Sequence, residues 1–177
     1  ANTMYNSEPR THTGVLVDYS PIEELTLTTG YALGWNTGFN QQDDGSLVIA
    51  AATFELEDLL TISYATTFGD LGDGRGEGYM HSVTTSVELQ DNLTYAFQSD
   101  VLETNETFQG SGGETDDDNI GINQYLIYKI DDKLSAGARV EWWKYNGTSI
   151  NEVTFGINYR PRKCIVVRPC LLYTSDA

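Results

Sequence analysis

The chain has no apolar run long enough to cross a membrane as a helix. Its longest, Leu47 to Ala52, stops at Thr53, far short of the roughly 18 residues a spanning helix needs. Basic residues are scarce, 10 against 26 acidic, for a net charge of −16. That excludes nucleic-acid binding, which needs a basic face. There are 2 cysteines, and the spacing of Cys164 and Cys170 fits no zinc pattern and suggests a disulfide only weakly. Proline is rare at 4 residues, and there are only 2 histidines, His12 and His81, too far apart for metal-ligand spacing. The chain has no initiator Met and no signal peptide, so a processed or cut N-terminus is expected, and since it opens mid-pattern a cut is favoured.

Glycine (17), Tyr (11), Phe (6) and Trp (3) are plentiful, a mix that suits strands over helices. The dominant periodicity is two. Leu25, Leu27, Thr29, Tyr31, Leu33 and Trp35 alternate with Thr26, Thr28, Gly30, Ala32, Gly34 and Asn36. One row is large and mostly apolar, the other small or polar. Successive strand side chains point to opposite faces, so one face of this segment meets grease and the other water.

The pattern recurs over Leu60–Phe68, His81–Leu89, Leu93–Val101, Leu134–Trp142 and Val153–Tyr159. It is weaker over His12–Tyr19, Ser46–Leu56 and Asn119–Ile130, and a further strand is expected to start at Ile165 and be cut short. These segments run about 9–12 residues, against roughly 5–6 for a soluble strand and about 9–11 for a tilted membrane strand.

Connections alternate in length. Short ones are Ser20–Glu24, Glu57–Asp58, Gln90–Asn92, Asp131–Lys133 and Arg160–Lys163. Long ones are Thr37–Gly45, Gly69–Gly78 and Thr104–Asp118, with a shorter member at Tyr145–Ser149. Antiparallel order then puts tight turns at one end and acidic loops at the other, as in outer-membrane barrels. Trp35, Phe68 and Trp142 fall where strands enter long loops, and Tyr19, Phe54, Tyr128 and Tyr159 beside short turns. All seven are expected on the outward face, as two interfacial girdles; the plainer alternative is a soluble core. A sheet in lipid must close on itself, so the expected fold is all-β: an antiparallel up-and-down transmembrane barrel, seen here as about ten strands of a larger one.

Three stretches resemble a known family, the β-barrel porins of the second type (OmpL-like) of Gram-negative bacteria. They are PRTHTGVLVDYSP (Pro9–Pro21), LTLTTGYALGWNTGFN (Leu25–Asn40), and LSAGARVEWWKYNG (Leu134–Gly147) followed by NEVTFGINYRPRKCIVVRP (Asn151–Pro169). The resemblance implies an outer-membrane barrel acting as a porin and says nothing about substrate. The last eight residues, CLLYTSDA (Cys170–Ala177), instead resemble an in-frame translation of a transposon-based sequencing adapter. Residues 1–169 are read as one barrel domain and residues 170–177 as a non-native tail.

The face opposite the large apolar row carries the ionisable residues Asp18, Glu88, Asp100, Lys129, Arg139, Glu141 and Glu152. Charge is costly in lipid, so these should face a watery lumen. There they either tune ion selectivity or simply pair, as Arg139 and Glu141 can across their spacing. Acids outnumber bases, which points to cation preference. The outer loops carry Asp43, Asp44, Asp70, Asp73, Glu77, Glu114 and Asp116–Asp118. DLGDGRGEG (Asp70–Gly78) lacks the order and closing Glu of a calcium hand, so a solvated loop is the ordinary reading and divalent bridging at a lipopolysaccharide surface the sharper one. No G-x-S-x-G elbow supports a hydrolase. The alternating Gly72, Gly74, Gly76 and Gly78 make no phosphate loop. The N-x-T triplets at Asn92, Asn105 and Asn146 read as chance.

The expected function is a channel for passive diffusion of small hydrophilic solutes or ions, with no reaction, metal or cofactor. Expected surroundings are outer-membrane lipid and lipopolysaccharide, with homo-oligomerisation open. The rivals are a secreted soluble β-sandwich or lectin-like module, with shorter strands, and a barrel serving as adhesin or enzyme.

Overall fold

A computed structural model describes residues 9–38, 45–72, 75–105, 117–145 and 147–176. It is built of strands: β1 (His12–Ile22), β2 (Leu25–Trp35), β3 (Ser46–Leu56), β4 (Leu60–Asp70), β5 (Glu77–Gln90), β6 (Leu93–Thr104), β7 (Asp117–Lys129), β8 (Leu134–Tyr145), β9 (Thr148–Arg162), β10 (Ile165–Val167) and β11 (Cys170–Asp176). Each pairs antiparallel with the next, in the order β1 through β10, and β11 pairs with β9. No helix among the described residues is long and apolar enough to cross a membrane.

The sheet is single and open, an arc of barrel wall whose edges are β1 and the β10–β11 line. Strands pack against their ladder neighbours rather than against a second sheet. This removes the β-sandwich reading, which needs two inner faces packed together.

Ladder register carries the two faces from strand to strand. Tyr31 pairs with Val48, Val48 with Phe68, and Phe68 with Tyr79. Leu126 pairs with Ala138, and Ala138 with Phe155. These residues share the outer face, and Tyr31, Phe68, Leu126 and Phe155 are exposed on it. Two pairs of polar groups on that face meet each other. Tyr64 Oη and His81 Nδ1 are 2.6 Å apart, and the Tyr95 hydroxyl donates to Gln124 Oε1 at 3.1 Å. Pairing of this kind is what a water-free surrounding demands.

The strands overrun their expected ends on the long-loop side. Gly69 pairs with Gly78 and Asp70 with Glu77, so the expected Gly69–Gly78 loop shrinks to residues 71–76. Its described residues 71, 72, 75 and 76 are not the solvated segment expected. Leu71 is fully buried and Arg75 nearly so. The Trp35 N–H donates to the Leu71 carbonyl at 2.6 Å, and the Leu71 N–H to the Gly76 carbonyl at 2.9 Å. These described residues form a strap folded onto the inner face. Leu71 packs there with Ala32, Trp35, Leu47 and Leu102, flanked by Ile49, Met80 and Trp143. Asp43, Asp44, Asp73, Gly74, Glu114, Asp116 and Asn146 lie outside the described residues.

The expected tenth strand is present in two pieces. Val167 pairs with Tyr159 and Cys170 with Gly156, in one continuous register interrupted at Pro169, which has no N–H to give a ladder. Cys164 and Cys170 are free and exposed. Beyond Pro169 the alternation fails: Leu171, Leu172 and Tyr173 are all exposed, 78%, 55% and 70%, though Leu172 stands on the opposite face from the other two.

Candidate pore lining

The inner face is organised in cross-strand rows. Gln98 pairs with Asn123, Asn123 with Glu141, and Glu141 with Glu152. One row toward the short turns, Ala96 pairs with Tyr125, Tyr125 with Arg139, and Arg139 with Thr154. All these residues point to the same side, so β6 to β9 present a compact polar block.

Four of the seven expected lumenal residues fall in this block. Arg139 is its hub. Its Nη1 lies 3.3 Å from Glu141 Oε2, its Nη2 pairs with Glu152 Oε1, and the same Nη2 donates to Thr154 Oγ1 at 3.2 Å. Arg139, Glu141 and Glu152 are all buried. Asp100 sits on the adjoining row, accepting from Ser82 Oγ at 2.5 Å and Gln98 Nε2 at 2.7 Å. A buried carboxylate without such partners would be costly. The planar guanidinium, with its fork of donors, is suited to bridge two carboxylates at once.

The other three share the face but stand apart from the block. Asp18 accepts from Thr28 Oγ1 at 2.6 Å on β1–β2. Glu88 accepts from Thr94 Oγ1 at 2.8 Å beside a short turn. Lys129, also at that end, pairs with Asp132 at 3.1 Å, both well exposed.

Of the seven aromatics expected outward, Tyr19, Phe54, Phe68, Tyr128 and Tyr159 lie exposed on the outer face. Trp142 shares it, in register with Ile122. Trp35 does not. It is 1% exposed, inside the strap cluster, with the Arg75 guanidinium 5.3 Å from its ring centroid. The reason is local. Gly34 has φ +100 and Asn36 φ 55, conformations that break the extended alternation. The pairing of β1 with β2 shifts by one residue between Gly14 and His12, so Trp35 turns inward.

Sequence reasoning did not single out Tyr125, Asn119, Asn123, Gln98 and Trp143 on this inner face. Their signal was parity: in β7 the residues facing inward are those between the outward Ile120, Ile122, Leu126 and Tyr128. A serine–histidine–carboxylate relay does not assemble at Ser82 and Asp100, because His81 points to the opposite face.

The whole chain, residues 1–177, matches the family described as "Putative beta-barrel porin-2, OmpL-like". The chain belongs to that family. Two solved structures share its fold. One is a porin refined at 1.8 Å resolution, with TM-score 0.70 and 11% identity, covering 92% of this chain and 56% of its own. The other is the outer-membrane channel DcaP of Acinetobacter baumannii, with TM-score 0.64 and 12% identity, covering 92% and 55%. The chain thus spans about half the length of the porins it matches. No curated protein matches it.

Proposed function

We propose that this chain forms part of the wall of an outer-membrane channel of a Gram-negative bacterium, through which small hydrophilic solutes and ions diffuse passively. One observation carries the reading. A single curved wall one residue thick shows exposed Leu, Val, Phe and Tyr rows on one side and the Arg139–Glu141–Glu152 network on the other. Apolar rows favour lipid and charges favour a wet lumen. The porin family and the two porin folds support it.

The lumen prefers cations in this reading. Asp18, Glu88, Asp100, Glu141 and Glu152 face it against Arg139 and Lys129. Arg139 is neutralised where it stands by Glu141 and Glu152, so the block keeps a negative balance, and fixed charge lining a pore sets ion preference. The lipid around the outer face, lipopolysaccharide at the long-loop end, and self-association of barrels complete the proposal.

The test is a planar bilayer with a KCl gradient. We expect ohmic conductance and a reversal potential of the sign for K⁺ preference. Chloride preference would contradict the selectivity, and absence of conductance the channel itself.

A further inference from the structure

The β6–β8 part of the inner face holds polar atoms that nothing satisfies. Asn119 is 2% exposed and Asn123 0% exposed. Asn119 Oδ1, both ends of the Asn123 amide, and the Trp143 indole Nε1 are buried without a hydrogen-bond partner. They are neighbours by register. Asn119 and Asn123 flank Gly121 on the same face of β7, and Gly121 pairs directly with Trp143 on β8 and with Asp100 on β6. A buried polar group left unpaired costs about 1–3 kcal/mol, and native proteins retain few. Four such atoms around one glycine mark a place shaped for something else to bond.

We propose that this block is a binding subsite for a hydroxyl-rich neutral solute, a saccharide or polyol, on the path through the pore. The inference rests on the channel reading above and adds its substrate class. The chemistry favours this class over simple ions. The unmet atoms are both acceptors (Asn119 Oδ1, Asn123 Oδ1) and donors (Asn123 Nδ2, Trp143 Nε1). An ammonium only donates and leaves the amide N–H and the indole N–H unmet. A carboxylate only accepts, and Asp100 and Glu141 beside the site repel it. A hydroxyl does both. Since both ends of Asn123 are unpaired, the argument holds whichever way that amide is turned.

The Trp143 and Tyr145 rings add a platform. They share the inner face of β8 and stack with centroids 5.6 Å apart at 20°, offering an apolar surface to the C–H face of a sugar ring. The block is closed to solvent in this structure, and its neighbours Leu102 and Trp143 pack in the strap cluster with Leu71. Binding therefore includes local opening at that contact.

The experiment adds maltotriose to the chain conducting in planar bilayers and compares Asn123→Leu and Trp143→Phe. We expect concentration-dependent current block. Asn123→Leu should raise the half-blocking concentration about tenfold, the loss of roughly one or two hydrogen bonds, and Trp143→Phe about threefold. Asn123→Leu should unfold no more easily than the parent, because an apolar isostere replaces an unpaired amide. A merely structural asparagine would show the reverse, lost stability and unchanged block. Conductance without maltotriose block, or equal block in parent and Asn123→Leu, overturns the subsite and leaves the channel standing. No conductance overturns the channel reading. The subsite is then judged by tryptophan fluorescence of the detergent-folded chain titrated with maltotriose, where no change overturns it.

Discussion

On β6 to β9 the inner face carries Asp100, Arg139, Glu141 and Glu152, each held by an ion pair or a hydrogen bond, with the unpaired Asn123 among them. Toward the long loops of β2 to β5, the same face carries Trp35, Leu47, Ile49 and Met80, covered by Leu71 of the strap. Both regions obey the same two-residue alternation. What differs is the partner. Buried charges remain where they pair with one another, and apolar side chains gather where a loop folds back onto them. Alternation assigns a residue to a face; it does not say what that face meets.

The comparison breaks most sharply at its charged hub. Arg139→Ala leaves Glu141 and Glu152 buried with their shared cation gone, and should cost about 3–5 kcal/mol. Guanidinium unfolding of the lipid-embedded chain measures it. A cost near that of an exposed pair would mean the block is not desolvated. The apolar region should answer to volume instead. Leu71→Ala should cost about 2–4 kcal/mol by cavity formation and raise single-channel conductance as the strap loosens, whereas Leu71→Met, which preserves volume, should do neither. An unchanged conductance in Leu71→Ala would show the strap lies off the conducting path.

The smallest expected effect sharpens the boundary between the regions. Gly34→Ala places a Cβ at φ +100, 2.9 Å from the Gly45 Cα and 3.0 Å from the Leu71 carbonyl oxygen, and should cost about 1–3 kcal/mol. With Trp142 and Trp143 replaced by Phe, the emission of Trp35 should shift red as its ring leaves the strap. An unshifted spectrum would mean Gly34 does not direct that ring inward.

Much of this fold was legible because a barrel wall is a local object. Each strand's faces follow from its own residues, as in Leu60–Phe68, and alternating loop lengths fix antiparallel order. The polar block was legible in part: Arg139 and Glu141 lie on one face of one strand, but their meeting with Glu152 depends on the β8–β9 register. Two features were hidden for physical reasons. The strap's inward fold depends on Leu71 meeting side chains from β2, β3 and β6, contacts with no local signature inside an acidic, glycine-rich stretch. Trp35 was misassigned because the positive φ of Gly34 and a one-residue shift in the β1–β2 pairing reverse the parity at the end of β2.

The most direct test of the wall reads both of its faces. With Cys164 and Cys170 replaced by serine, single cysteines from Val153 to Tyr159 carry nitroxide labels in lipid vesicles. Labels at Val153, Phe155, Ile157 and Tyr159 should collide with dissolved oxygen. Those at Thr154, Gly156 and Asn158 should collide with a water-soluble nickel chelate. Equal access of the two quenchers to both sets would contradict a wall between lipid and lumen.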